Sequence, residues 1–443
     1  MLLMLIQFSV ENFLSIKEKV ILSLLASKDN EHPNHLIADE TNRYLKSAVI
    51  YGANASGKSN VLNAFWFMVN YVLTSHNQQI HKAIDRSPFK FDPETPTRPS
   101  SFEVIFTTKG IRYAYGFSVT DSAVTEEYLY YYPNGRKALI FERKNTKDFR
   151  FTVDIDEQNT LKERASANKL YLSVASNWSY TKVVPVLEWF ASCQIITKNS
   201  VADAYRLEAE QLKDADYRRA IASMLRAADF GIQALQMRDS GPALSQHSDI
   251  FTNIEAIHTV RDTNGTTFAY ALNMAEESDG TNSYFKLIGV VKKALDQGTL
   301  LVTDDMDAHL HPLLARHLVS LFDSAEFNPK GAQLIFTSHS TNLLDLDLLR
   351  RDQIWFTEKG EQTAATDLFS LYDFSVRKDM KVEKGYLIGR FGAIPFIKGN
   401  LQNSTRTATQ KMKTCDTEAP CDQKISWGLF SWLQDFRLNP CHG

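Results

Sequence analysis

Along this 443-residue chain the spacing of hydrophobic positions changes period repeatedly, and each change predicts an element. Near the start, Leu5-Ile6-Gln7-Phe8-Ser9-Val10 and Val20-Ile21-Leu22 predict two strands joined by a bend at Glu11-Asn12. The apolar run Ala48–Tyr51 predicts a buried strand; beyond Gly52–Ser59, the positions Val61, Leu62, Phe65 and Val69 share one face of a helix. Period-two alternation follows a polar connector. Phe102, Val104 and Phe106 alternate, Lys109-Gly110 turns the chain, and Tyr113, Tyr115, Phe117 and Val119 alternate back. Tyr128 and Tyr130, the turn Pro133-Asn134-Gly135, and Leu139 and Phe141 predict a second hairpin. An antiparallel sheet after the first helix is not what a plain doubly wound α/β fold would place there.

From about 159 to 230 the pattern is helical, and Tyr217, Ile221, Met224, Leu225 and Ala228 form a face that stops near Gly231. Without sustained heptads this segment reads as a compact helical insertion and not a coiled-coil arm. Asn264-Gly265 hinges strands at Ile254–Val260 and Phe268–Leu272. A helix from about Asn282 to Leu295 precedes the buried strand Leu300–Thr303, and Gln333–Thr337 is a third buried strand. The expected fold is α/β, with a mixed central sheet, an antiparallel β subdomain and a helical insertion. Its expected divisions are 1–158, a lobe with the Gly52–Ser59 loop and the antiparallel subdomain; 159–253, the helical insertion; 254–398, a second lobe; and 399–443, an atypical tail.

Composition narrows this little. Hydrophobic residues make up 44% and charged residues 23%, with a formal net charge of -3, so a large core is expected and no global basic footprint exists. Nucleic-acid binding is neither indicated nor excluded. Cys415, Cys421 and Cys441 lie near the end and only Cys193 in the body. No disulfide framework is implied, which suits a reducing cytosol and a cytoplasmic location. The opening MLLMLI reads as a strand start, with Met4 as a candidate initiator, and nothing approaches the length of a membrane span.

The chemistry concentrates at Gly52-Ala53-Asn54-Ala55-Ser56-Gly57-Lys58-Ser59, set between a strand and a helix. Gly52 and Gly57 let the backbone curl and present N–H groups to phosphate oxygens at the positive end of a helix. Lys58 supplies a point charge for terminal phosphates, and Ser59 can ligate Mg²⁺. A second acidic element follows the Leu300–Thr303 strand. Asp304 is placed to hold Mg²⁺ beside the loop, and Asp305 stands where a general base or water-orienting carboxylate belongs. Adjacent aspartates can also simply cap the next helix. His339, after the third strand, can reach a terminal phosphate or an attacking water, though a lone histidine is often a hydrogen-bonded loop residue. Ser278-Asp279-Gly280-Thr281 can offer donors and a helix N-terminus to phosphate held by another subunit, or be an ordinary helix cap. His309 and His311 sit at a helix start before Pro312, which favours a structural role over a metal site. Arg350-Arg351 and Arg377-Lys378 read as a solvated face.

This ordered set resembles the ABC-class ATPases of the Rad50, SMC and OLD type. The resemblance implies Gly52, Asn54, Ala55, Ser56, Gly57, Lys58, Ser59 and Asn60 as the first phosphate motif, with Ser278 and Gly280 in the signature loop. It further implies Asp304 and Asp305 as the acidic motif, Asp307 as the D-loop aspartate, and His339 as the switch histidine. More narrowly, IQFSVENFLSIKE, ESDGT, LHP and GYLIGRFGAIPF resemble the AAA15 group of bacterial ATPases, often linked to abortive-infection and other phage-defence operons. The resemblance spans about residues 4–398. It implies an ABC-type P-loop fold, ATP and Mg²⁺ as ligands, and a homodimer or larger assembly in which each phosphate loop faces the partner's signature loop. Two departures stand out: the family usually has Glu where Asp305 stands, so slow turnover is expected, and the tail after Asn400 fits poorly. No counterpart of the family's glutamine-type lid residue is placed.

Three function classes follow: an ATP-gated regulatory enzyme of a defence module acting with a separately encoded effector, a DNA-repair or chromosome ATPase, and a nucleotide-gated scaffold with little turnover. The missing coiled-coil arm disfavours the second. Asp345, Asp347, Asp352 and Glu358 lack the Gly-rich acidic turn of a built-in nuclease, so none is expected.

Overall fold

The computed structural model describes residues 3–39, 42–200, 210–228, 230–238, 253–374, 376–377 and 380–394. The tail from 399 and Lys378 lie outside them. The chain opens with β1 (Met4–Glu11) and β2 (Val20–Ser23), then the short pair β3 (Leu36–Ala38) and β4 (Arg43–Leu45). β5 (Ser47–Gly52) leads through the glycine loop into α1 (Lys58–Thr74). The alternating stretch forms β6 (Ser100–Thr108), β7 (Ile111–Val119), β8 (Val124–Tyr132), β9 (Ala138–Lys144) and β10 (Asp148–Phe151). Helices α2 (Ile155–Lys162), α3 (Tyr171–Asn177) and α4 (Val184–Ser192) precede β11 (Gln194–Ile196). Next come α5 (Ala215–Ala227), β12 (Ile232–Met237), β13 (Ile254–Arg261) and β14 (Thr267–Asn273). The chain continues through α6 (Asp279–Gln297), β15 (Leu300–Thr303), α7 (Pro312–Asp323) and β16 (Gln333–Thr337). It ends, as described, with β17 (Ile354–Lys359), β18 (Thr366–Ser370) and α8 (Val382–Leu387).

The fold is α/β, with the antiparallel and mixed sheets the sequence leads one to expect. A seven-stranded antiparallel sheet runs β10-β9-β8-β7-β6-β1-β2, and a six-stranded sheet runs β11-β15-β16-β5-β17-β18. The latter is parallel from β11 to β17 and turns antiparallel only at β18, which makes it mixed. Period two on β5 sends Ala48 and Ile50 to one core, and Val49 and Tyr51 to the other. The first core joins α1 to the antiparallel sheet, with Phe65 edge-on to Phe8 at 5.2 Å and Phe13 at 5.2 Å from Phe67. The second joins the central sheet to α6 and α7. Between two sheets α1 is buried on more than the one face its sequence predicts, since Phe67, Met68, Tyr71 and Val72 are covered as well.

Two expectations need correction. The stretch 159–253 is not purely helical: it also carries β11 and β12. β11 pairs in parallel with β15 at the edge of the central sheet, and three residues are too few to show a strand period. Arg350 is not on a solvated face. It is 1% exposed, its Nε and Nη2 donating to Asp352 at 2.9 and 2.8 Å, and further donors reaching the Glu31 and Asp29 carbonyls. Arg351 pairs with Asp29. Charge composition cannot show that a carboxylate two residues away and distant carbonyls form a buried socket.

Candidate functional site

Parallel pairing of β15 with β16 and of β16 with β5 sets three strand carboxyl ends side by side, at Thr303, Thr337 and Gly52. In open α/β sheets this rim is where ligands bind. The glycine loop emerges there. Gly52 is in positive-φ territory at 156°, and a Cβ on it would lie 2.5 Å from the Thr357 carbonyl, so only glycine lets the loop leave the strand at this angle. Asn54 and Ala55 form the exposed tip, Ala55 with φ 63°. Ser56 is buried, its Oγ 2.7 Å from Thr357 Oγ1. Asn60 turns its amide to Ser15 Oγ at 2.7 Å.

Lys58 begins α1 and is 5% exposed. Its Nζ donates to the Gly52 and Ala53 carbonyls at 2.8 and 3.3 Å. Burial lowers its pKa, and the charges of Asp305, Asp304 and Asp307 oppose that fall. Ser59 Oγ donates to Asp304 Oδ1 at 3.0 Å, and Thr337 Oγ1 donates to the same oxygen at 2.7 Å. The Asp305 N–H donates to Thr337 Oγ1 at 2.7 Å. A short hydrogen-bonded run therefore ties the first turn of α1 to the ends of β15 and β16. Ser59 Oγ and Asp304 Oδ1 are oxygen donors of the kind Mg²⁺ takes, so the chemistry of this pair fits that ion.

Asp305 adopts φ 48°, and its Oδ1 lies 3.3 Å from His339 Nε2, both side chains about half exposed. Asp307 faces inward within its own chain: Oδ2 accepts from Ser338 Oγ and from the Ser340 N–H, each at 2.9 Å. Neither Asp304 nor Asp305 caps the following helix; His311 does, Nδ1 accepting from the Leu313 N–H at 3.3 Å. Ser278 caps α6, Oγ accepting from the Thr281 N–H at 3.1 Å, and Ser278 and Asp279 are exposed. Gly280 lies against the loop holding Asp307, where a Cβ would sit 3.3 Å from the His309 carbonyl oxygen.

The structure thus brings Lys58, Ser59, Asp304, Asp305 and His339 to one rim. Ser278 and Gly280 sit against His309. Among the described residues no group of three His, Cys, Asp or Glu could hold a metal ion on its own. Of the later acids, Asp352 is taken up by Arg350, Asp345 by Arg316 at 2.9 Å, and Glu358 by the Ala393 N–H at 3.2 Å. Sequence reasoning missed Thr337, whose hydroxyl joins the two aspartates; the only signal was a hydroxyl residue ending a buried strand just before Ser338-His339.

Strand, glycine loop, helix and acidic strand end define a P-loop ATPase domain. The chain belongs to the family described as AAA domain, putative AbiEii toxin, Type IV TA system, whose model matches residues 47–345. No curated protein matches it significantly. Among solved structures it is similar to an SMC head bound to the C-winged helix domain of ScpA, at 13% identity and TM-score 0.40, covering 85% of this chain and 99% of that one. It is also similar to the SMC head domain from Thermotoga maritima, at 14% identity and TM-score 0.36, covering 83% and 98%. At those scores the likeness carries no functional argument. Among the described residues no helix is long and apolar enough to cross a membrane.

Proposed function

We propose that the chain binds MgATP at Gly52–Ser59 and hydrolyses it. In this reading it is the ATP-gated regulatory component of a bacterial anti-phage or abortive-infection system, acting with a separate effector. The observation carrying the ATP site is the run Ser59–Asp304–Thr337–Asp305, which links phosphate loop and acidic strand through contacts of 2.7–3.0 Å. Ser59 and Asp304 would hold Mg²⁺, which when bound neutralises phosphate charge. Lys58 would meet the terminal phosphates by leaving the Gly52 and Ala53 carbonyls. Asp305 would orient the attacking water, with His339 at the terminal phosphate. The defence role rests on the AbiEii name carried by the family and on the AAA15 resemblance.

Ser278, Gly280 and Asp307 belong, in this proposal, to a composite site completed by a second copy, so ATP would drive homodimerisation. The exposure of Ser278 and Asp279 supports that arrangement. A slow or silent catalytic step has its own support: Asp305 is short and already faces His339. ATP turnover and ATP-dependent association, measured for wild type and Lys58→Ala, test both ideas. Loss of both in the variant is expected. Equal turnover would refute the catalytic assignment, and unchanged association would refute the composite site.

A further inference from the structure

A relay of hydroxyl groups, drawn from parts of the chain that the nucleotide motifs do not include, closes round the phosphate loop. Asn60 Nδ2 donates to Ser15 Oγ at 2.7 Å; Ser15 Oγ lies 2.7 Å from Thr366 Oγ1; Thr366 Oγ1 donates to the Ser56 carbonyl at 2.8 Å. The directions follow from counting protons. Thr366 gives its single hydroxyl hydrogen to Ser56, so it accepts from Ser15, and Ser15 accepts from Asn60. The Thr366 N–H also donates to the Ser15 carbonyl at 2.7 Å, fastening β18 to the turn after β1. Ser15 and Thr366 are both buried.

The carbonyl at the end of this relay belongs to the peptide between Ser56 and Gly57. A trans peptide is planar, with C=O and N–H pointing in opposite directions. Holding the Ser56 oxygen against Thr366 therefore fixes where the Gly57 N–H points. The packing agrees: Gly57 has φ 110°, and a Cβ there would lie 2.6 and 2.9 Å from Thr366 Cγ2 and Cβ. A second threonine of the same hairpin acts likewise at the other glycine, since Thr357 Oγ1 donates to the Tyr51 carbonyl at 3.3 Å and so bears on the Tyr51–Gly52 peptide.

We propose that Thr366 is a positioning residue for phosphate binding, its hydroxyl setting the Ser56–Gly57 peptide so that the Gly57 N–H faces the phosphate groups before any nucleotide arrives. The β17–β18 hairpin is then the template on which the loop is shaped. This inference rests on the phosphate-binding reading of Gly52–Ser59. Its test is titration of full-length protein with fluorescently labelled ATP and ADP in the presence of Mg²⁺, comparing wild type, Thr366→Val, Thr366→Ser and Ser15→Ala. Thr366→Val should weaken both nucleotides tenfold or more, whereas Thr366→Ser, which keeps the hydroxyl, should stay within threefold of wild type. Wild-type affinity in Thr366→Val would overturn the inference, as would equal losses in the Val and Ser variants, because Ser keeps the hydroxyl and an equal loss would make the fit of the whole side chain against Gly57 the determinant. Should Thr366→Val fail to fold, Ser15→Ala decides, because it leaves Thr366 in place and removes the hydroxyl that donates to it, with Asn60→Ala, which removes the amide that Ser15 accepts from, measured beside it to separate the Asn60 contribution. A threefold or larger loss supports the relay, and unchanged affinity overturns it. Failure of the wild type itself to bind would instead refute the nucleotide site.

Discussion

Removing the carboxylate of Asp307 should separate nucleotide binding from turnover. Its Oδ2 accepts hydrogen bonds from Ser338 Oγ and the Ser340 N–H, each at 2.9 Å, on either side of His339. Hydrogen bonds to a charged acceptor contribute about 1.5–3 kcal/mol each. Asp307 is only half-buried, so water screens part of this, and about 2 kcal/mol for the two together is the appropriate scale. Spent on loosening the loop that carries His339, that energy corresponds to a loss of turnover of roughly thirty-fold. Asp307→Ala should therefore lower kcat by about that factor and leave the nucleotide affinity of a single copy, titrated below the concentration at which copies associate, within roughly threefold, since within its own chain the side chain is engaged with Ser338 and Ser340. Asp307→Asn keeps an acceptor for the Ser340 N–H and should recover most of the rate. Steady-state phosphate release beside equilibrium nucleotide titration measures both quantities. A parallel loss of affinity and rate, or an unchanged rate, would refute the idea that Asp307 acts through the His339 loop.

Glu127 is fully buried and accepts from the Tyr171 and Leu172 N–H groups at 2.6 and 2.9 Å and from Tyr115 OH at 3.0 Å, with Arg143 Nη1 at 3.9 Å. Glu127→Ala leaves two N–H groups at the start of α3 without their acceptor and takes the facing carboxylate from the buried Arg143 guanidinium, which keeps its bonds to the Thr146, Lys169 and Ser166 carbonyls, so a loss of about 3 kcal/mol is expected, read as a fall in the thermal midpoint; a shift of under a degree would contradict it. Asp323 and His35 give a pH dependence. Burial raises the Asp323 pKa to about 7 and lowers that of His35 to about 4, their side chains 3.5 Å apart, with Lys46 facing the first and Gln353, His32 and Arg350 the second. A raised carboxyl contributes stability below its unfolded value that is lost as pH rises to about 7, whereas protonating a depressed imidazole costs stability as pH falls toward about 4. The two slopes oppose each other between those limits. Asp323→Asn should leave only the His35 slope, so the variant gains stability above pH 7 relative to wild type, by about 1–3 kcal/mol. Melting curves at pH 5 and pH 8 check this, and a variant less stable than wild type at pH 8 would exclude it.

Much of this architecture was legible because it is local. Alternation from Phe102 to Val119 gave β6 and β7, the glycine loop gave β5 and α1, and the apolar runs before Asp304 and Ser338 gave β15 and β16. What escaped notice depends on distant partners. β11 is a strand because β15 supplies its hydrogen bonds, and Arg350 is buried because Asp352, Asp29 and Glu31 converge on it. At the site the same division holds. Lys58, Ser59, Asp304 and His339 belong to motifs with fixed local spacing, whereas Ser15, Thr357 and Thr366 reach the loop from across the sequence; Thr357 and Thr366 carry no pattern of their own, and Ser15 lies in the stretch IQFSVENFLSIKE, which gives no sign of its tie to the loop.

The placement of β5 has a consequence for how the chain is made. The antiparallel sheet is complete once Phe151 has been synthesised, but both hydrogen-bonding neighbours of β5, the strands β16 and β17, begin only at Gln333 and Ile354. At a translation rate of about 5–20 residues per second this separation lasts on the order of tens of seconds. During that interval the strand that launches the phosphate loop has both edges open, and its face carrying Val49 and Tyr51 awaits residues still inside the ribosome. A nascent chain arrested before Gln333 would carry the complete glycine loop yet lack the sheet that shapes it. Nucleotide can therefore assist only the final stage of folding, after nearly the whole body has emerged.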